Sequence, residues 1–272
     1  MFAMLISQRN RFIRIVFLIT LVICSSFLFK KEKPTLYIIG DSTVRNGDGT
    51  GKNGQWGWGS FLANYFDTTK ITIENDAIGG RSSRTFITEG RWEKILARLK
   101  KGDYVLMQFG HNDASPLDDT ARARGTIPGI GNESKEIYNP ITKKQEVVYT
   151  YGWYMRKYVN ETKAHKATAI VCSPVPRDNW ENNKVKRADS TYGGWAKDIA
   201  NANGVYFIDL NNRIAEQYET MGQSSVAKFF PADHTHTNYE GALISARIVK
   251  EELVKLKGNP LKKYFLKAKK SG

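Results

Sequence analysis

The sequence predicts an α/β protein built on a parallel sheet with helices on both faces. Three observations carry this. Five short strand-like runs, most of them apolar, recur within residues 34–258, most closing on glycine or on Ser-Pro. Segments of helical spacing separate them, the alternation expected of β-α-β units. The polar residues able to do chemistry gather just after the first three runs and just before the last helix. In parallel sheets, ligands bind beyond the carboxyl ends of the strands.

Each element follows from its local pattern. Residues 35–40 (TLYIIG) are apolar and end in Gly40, as suits a buried strand. Residues 61–66 have helical spacing. Residues 71–77 are β-rich and lead into Gly79-Gly80. Trp92, Ile95, Leu96 and Leu99 fall at i, i+3, i+4 and i+7, an amphipathic helix. Residues 104–109 are a third strand, ending at Gly110, and residues 167–172 a fourth, ending in Ser-Pro. Between them, residues 114–150 read as irregular, with Gly125, Pro128, Gly129, Gly131 and Pro140. A loop of roughly 37 residues in a compact domain is functional or disordered. Residues 195–202 are helical and stop at Asn203-Gly204; residues 205–210 are the fifth strand; residues 214–221 and 241–256 are the closing helices.

The chain has 272 residues and a net charge of +14. Residues 1–33 carry +5 and residues 250–272 carry +6, which leaves +3 on the body. A basic groove for nucleic acid is therefore not required, and no nucleic-acid partner is expected. The two cysteines, Cys24 and Cys172, exclude a disulfide framework. Arg9, Arg11 and Arg14 precede an uncharged run at residues 15–29, closed by Lys30, Lys31 and Lys33. At about 15 residues this run is short of the ~20 needed to span a bilayer. A basic stretch followed by a short apolar one is the pattern of a secretory signal peptide. An uncleaved anchor and lipidation at Cys24 stay open, and any membrane partnership runs through this leader. The expected organisation is a leader over residues 1–33, one catalytic domain over 34–258 and a basic tail over 259–272. The expected location is periplasmic, secreted or at the cell surface.

Ser42 directly follows the first strand, where a strand-to-helix turn exposes a side chain near a helix N-terminus. Its bland alternative is a helix cap. A serine nucleophile needs a base, and there are four histidines: His111, His165, His234 and His236. Asp233 and His236 are three apart, a spacing that lets a carboxylate reach one imidazole nitrogen and leaves the other for a serine proton. Pairing Asp233 with His234 is geometrically poorer. Asp41 and His111 read as braces of their loops, and Asp113 as a loop brace or a substrate contact. No G-x-S-x-G is present. A dinuclear metal site would need further His and Asp at the strand ends, and these are missing.

Four blocks then carry a resemblance. Gly40-Asp41-Ser42-Thr43-Val44, Gly80, Gly110-His111-Asn112-Asp113 and Asp233-His234-Thr235-His236 resemble, in order, the blocks of the SGNH (GDSL-like) hydrolases. Their wording is most similar to rhamnogalacturonan acetylesterases, with NDAIGGRSSRTF, FGHND and DHTHTN. The resemblance implies a three-layer α/β/α sandwich with a flavodoxin-like sheet of about five strands. It implies Ser42 as nucleophile, His236 as base and Asp233 as its orienter. It also implies an oxyanion hole from the Ser42 and Gly80 amides and the Asn112 side chain. The implied reaction is a cofactor-free removal of acetyl groups from a pectic polysaccharide or oligosaccharide. Acetylated xylan, another acetylated sugar or a lipid are alternative esters, and a non-catalytic carbohydrate-binding surface protein is the alternative of another class. Trp56, Trp58, Arg81 and Tyr151 are candidate substrate contacts, the tryptophans being equally readable as core.

Overall fold

The computed structural model describes residues 32–267. The sequence expectations for the leader and for Cys24 therefore lie outside the described residues, apart from the last two positions of the leader. Residues 34–267 belong to one compact unit.

The strands are β1 (Thr35–Gly40), β2 (Thr72–Asn75), β3 (Tyr104–Gln108), β4 (Ser134–Asn139), β5 (Lys144–Tyr149), β6 (Thr168–Cys172), β7 (Trp180–Glu181), β8 (Lys184–Val185) and β9 (Tyr206–Ile208). The helices are α1 (Ser83–Thr88), α2 (Arg91–Leu96), α3 (Tyr151–Ala164), α4 (Tyr192–Ala202), α5 (Leu210–Met221), α6 (Gln223–Val226) and α7 (Tyr239–Lys255). The five expected strands form one sheet in the order β2-β1-β3-β6-β9, and every pairing in it is parallel.

Burial on both faces explains why the inner strands β1, β3 and β6 are largely apolar and do not alternate with polar residues, whereas the edge strand β2 (TIEN) is half-exposed and mixed. Along β1, Leu36 and Ile38 join one core with Leu106, Ile170, Ile214 and Val249. Tyr37 and Ile39 point the other way, into a second core with Val105, Trp92, Tyr158 and Ile199. Thus α5 and α7 cover one face, and α2, α3 and α4 the other, giving the three layers.

Three expectations need correction. Residues 61–66 do not form an α-helix: Leu62–Tyr65 is a single 3-10 turn, and another, Trp58–Ser60, precedes it. The Gly59 amide, in the earlier turn, donates to the Val44 carbonyl at 2.9 Å, and a Cβ on Gly59 would lie 2.8 Å from that oxygen. Residues 114–150 are not irregular throughout, because β4 and β5 make an antiparallel hairpin within them. Buried Arg84 fastens this insertion, reaching Glu146 of β5 at 2.7 and 2.8 Å and the Leu117 and Gly125 carbonyls at 2.9 Å. Finally, residues 259–266 are no free tail: Leu261 is fully buried, and Phe265 packs on Phe66 with ring centres 4.6 Å apart and planes tilted by 33°.

Candidate active site

The chain runs from β1 outward to β2 and returns on the other side of β1 to β3. A crevice opens where the winding direction reverses, beyond the carboxyl ends of β1 and β3. Ser42 and Asn112 follow those two strands.

The turn carrying Ser42 is fixed from below. A Cβ on Gly40 would meet the Gln108 carbonyl oxygen and a Val44 methyl at 2.6 Å, so only glycine fits. The buried Asp41 carboxylate accepts bonds from the Thr43 amide at 2.9 Å and its hydroxyl at 2.7 Å. Its other oxygen faces His111 Nδ1 at 3.1 Å. Burial pulls the Asp41 carboxyl upward, but His111 and Thr43 outweigh it and hold it below the usual range. His111 Nε2 meets the Val175 carbonyl at 2.9 Å, so both of its nitrogens are engaged in bracing. Trp58 Nε1 donates to Gln108 at 2.9 Å, and Gln108 Nε2 donates to Thr43 Oγ1 at 2.6 Å. A continuous buried hydrogen-bond chain thus underlies the serine.

Ser42 Oγ lies 2.8 Å from His236 Nε2, and His236 Nδ1 lies 2.8 Å from Asp233 Oδ2. The Asp233 carboxylate also accepts the Thr235 amide at 2.7 Å and the His236 amide at 2.8 Å. Partial burial raises its pKa, yet the bonds from His236 and these amides prevail and bring it to about 2. It therefore stays ionised at any ordinary pH and can steady an imidazolium. His234 lies exposed on the same loop, consistent with the preference for His236.

The oxyanion-side candidates converge on the same spot. Gly80 follows β2 at φ +79°, a left-handed conformation that favours glycine. Asn112 Nδ2 donates to the Arg81 carbonyl at 2.9 Å, which ties the β3 loop to the Gly80 loop. Ser42, Gly80, Asn112 and His236 line one open cleft of about 540 Å³. An acyl carbonyl placed there meets a serine–histidine pair on one side and amide donors on the other.

The substrate contacts fare less well. Trp58 is 1% exposed and Tyr151 is 0% exposed, so neither can touch a ligand. Trp58 belongs to the chain under Ser42, and Tyr151 Oη donates to the Phe109 carbonyl at 3.3 Å inside the core. Trp56 is half-buried, its ring packed on Phe61 and Tyr239 at 5.1 and 5.6 Å. Its amide donates to the Thr237 carbonyl at 2.8 Å, fastening the Asp233–His236 loop to the body. Arg81 does line the cleft, but its guanidinium is paired with Glu89 at 3.0 Å.

Sequence reasoning missed Gln55, whose side-chain amide donates to Asp233 Oδ2 at 3.2 Å, and the cleft residues Arg122 and Arg124. Nothing in a loop's sequence tells which strand end it covers. Among the described residues no group of three or more His, Cys, Asp and Glu side chains is arranged to hold a metal ion.

Comparison with known proteins matches residues 38–244 to the GDSL-like lipase/acylhydrolase family. The chain belongs to this family. It is 34% identical over 213 residues to a rhamnogalacturonan acetylesterase of Emericella nidulans, covering 78% of this chain and 81% of the relative. It is 31% identical to a probable rhamnogalacturonan acetylesterase, YesY, of Bacillus subtilis, covering 85% and 97%. The crystal structure of YxiM from Bacillus subtilis superposes with a TM-score of 0.66 at 26% identity, covering 82% of this chain and 57% of that one. An acetylxylan esterase from Geobacillus stearothermophilus shares the fold, with a TM-score of 0.55 at 20% identity over 83% of this chain and 96% of that one. As a GDSL-like hydrolase, the chain is a serine carboxylic ester hydrolase with the SGNH fold.

Proposed function

We propose that this GDSL-like hydrolase removes O-acetyl groups from pectic rhamnogalacturonan through an acetyl-enzyme. The observation that carries the chemistry is the unbroken series Asp233–His236–Ser42, 2.8 Å at each step, facing Gly80 and Asn112 across one cleft. His236 Nε2 takes the Ser42 proton as Oγ attacks the acetyl carbon. The amides of Ser42 and Gly80 and the Asn112 side chain receive the oxyanion, and each such donor is typically worth about 10²–10³ in rate. The sugar oxygen leaves with the proton from His236. Water, deprotonated by the same nitrogen, then releases acetate. Asp233 stays ionised throughout and keeps the imidazole in orientation.

The pectic substrate is supported by the names of two relatives above 30% identity. A lipid ester is disfavoured by a cleft edged with Arg81, Arg122 and Arg124. The reading places the enzyme outside the cytoplasm, on the strength of the N-terminal sequence pattern alone.

The test is acetate release from acetylated rhamnogalacturonan by the wild type and by Ser42→Ala. The variant should lose at least about 10³-fold in kcat. Turnover that survives in it would sink the mechanism, and a preference for long acyl chains would sink the substrate class. An organophosphonate should label the wild type at Ser42.

A further inference from the structure

We propose that Arg122 and Arg124 form a carboxylate-binding subsite at the rim of the oxyanion hole, which selects a uronic-acid residue next to the scissile acetyl ester. The proposal rests on the acetylesterase reading of the cleft and adds to it the residues that read the substrate's charge.

The two guanidinium groups meet over Gly80. A Cβ placed on Gly80 would lie 3.4 Å from Arg122 Nη1 and 3.5 Å from Arg124 Nη1. Both therefore lie against Gly80, whose amide the proposed mechanism assigns to the oxyanion hole. Neither is neutralised by an ion pair among the described residues, whereas the third arginine of the cleft, Arg81, is paired with Glu89. Arg124 spends Nη1 on the Gly80 carbonyl and Nε on Ser115 Oγ, both at 3.1 Å. Arg122 is exposed, and among the described residues its guanidinium has no hydrogen-bond partner.

Their placement is built into the loop. The Asp119 carboxylate accepts the amides of Ala121, Arg122 and Ala123 at 3.0, 2.8 and 2.9 Å. Ala123 turns back at φ +43° and is buried, which leaves the arginines on either side of it at the cleft. Behind them, buried Arg84 holds the Gly125 carbonyl at 2.9 Å. Two planar cations held this way match a carboxylate better than a hydroxyl, and bonds between charged partners are about twice as strong as neutral ones. A neutral acetylated sugar offers neither guanidinium an ion-pair partner. A sugar carboxylate beside the ester supplies one.

The experiment compares two substrates: an acetylated rhamnogalacturonan oligosaccharide, and the same oligosaccharide with its carboxylates converted to methyl amides. The wild type should show a kcat/KM about 10–100-fold higher on the acid form, a ratio that shrinks with added salt. In Arg122→Gln and Arg124→Gln this ratio should collapse, and in Arg122→Glu it should fall below that of either. Unfolding temperatures of the variants establish that they are folded. A wild type that deacetylates both substrates equally overturns the subsite and leaves the esterase standing. So does a ratio that persists in all three variants. No acetate from either substrate overturns the underlying reading, and the subsite with it.

Discussion

Asp113 shows how one buried residue can set the pH response of the fold. It lies under the site, fully buried, and its carboxyl accepts the Ser83 amide at 3.1 Å and the Ser83 hydroxyl at 2.5 Å. Burial, with Asp41 close by, pushes its pKa up to about 7 despite those bonds. An unfolded aspartate titrates near ~3.9. Between about pH 4 and 7 the native state thus keeps a proton that the unfolded chain has released. Stability from this group is complete below that window and is lost as pH rises through it. Asp113→Asn, which never ionises, should gain on the wild type by a few kcal/mol between pH 4.5 and 7.5. Urea unfolding of both proteins at the two pH values measures this; a difference that does not change with pH refutes it. Ser42 was legible in the sequence because it follows an apolar strand, and Asp233 and His236 because three residues apart suits a carboxylate–imidazole contact. Trp58 and Tyr151 were misread because an aromatic ring suits a core as well as a sugar, and only burial separates the two.

Elements were legible where apolar periodicity is plain. Four of the five parallel strands are largely apolar runs, the edge strand β2 (TIEN) being mixed, and all five were found in place. Helix α3 was missed although Tyr151, Tyr154, Met155, Tyr158, Val159 and Thr162 mark one buried face. Four of those six carry hydroxyls, so the stripe reads as polar. The β4–β5 hairpin was missed for the opposite reason: it packs largely through Ile137, Val148 and a charge pair, with most of its residues exposed. That pair gives the element its own prediction. The Arg84 side chain is 0% exposed and Glu146 only 18%, with Asn139 Nδ2 donating to Glu146 at 2.6 Å. Removing one partner of a buried pair leaves an uncompensated charge, at a cost of about 3–5 kcal/mol. Glu146→Ala should therefore lower Tm by roughly 6–20 °C, at 2–4 °C per kcal/mol for a domain of this size. Because Arg84 also holds the loop of Arg122 and Arg124, proteolysis within residues 114–126 should quicken. A Tm within a degree of wild type would show that the hairpin is not held by this pair.

At the scale of the molecule, the charge distribution and the boundary of the fold part company. Counting lysines suggests a solvated tail from residue 259, yet the chain packs on for several residues more. Lys262 and Lys263 face solvent while Leu261 and Tyr264, their neighbours in sequence, are buried. Tyr104 Oη on β3 donates to the Pro260 carbonyl at 3.1 Å, the Asp67 amide to the Tyr264 carbonyl at 2.7 Å, and the Leu266 amide to the Tyr65 carbonyl at 3.0 Å. The segment thus closes the sheet at the end remote from Ser42, since Tyr104 begins the strand whose other end leads to Asn112. A buried leucine removed to leave a cavity typically costs about 2–5 kcal/mol, and here a tyrosine and three hydrogen bonds go with it. A chain ended after Gly258 should lose at least about 3 kcal/mol and unfold roughly 6 °C or more below one ended after Lys267. The lost contacts lie at the far end of the sheet, so the shorter chain should keep its kcat at temperatures where it stays folded. Calorimetry of the two chains, with p-nitrophenyl acetate turnover at low temperature, decides the matter. Equal unfolding temperatures would return these residues to a tail, and a fall in kcat without one in stability would mean that the closing segment reaches the site.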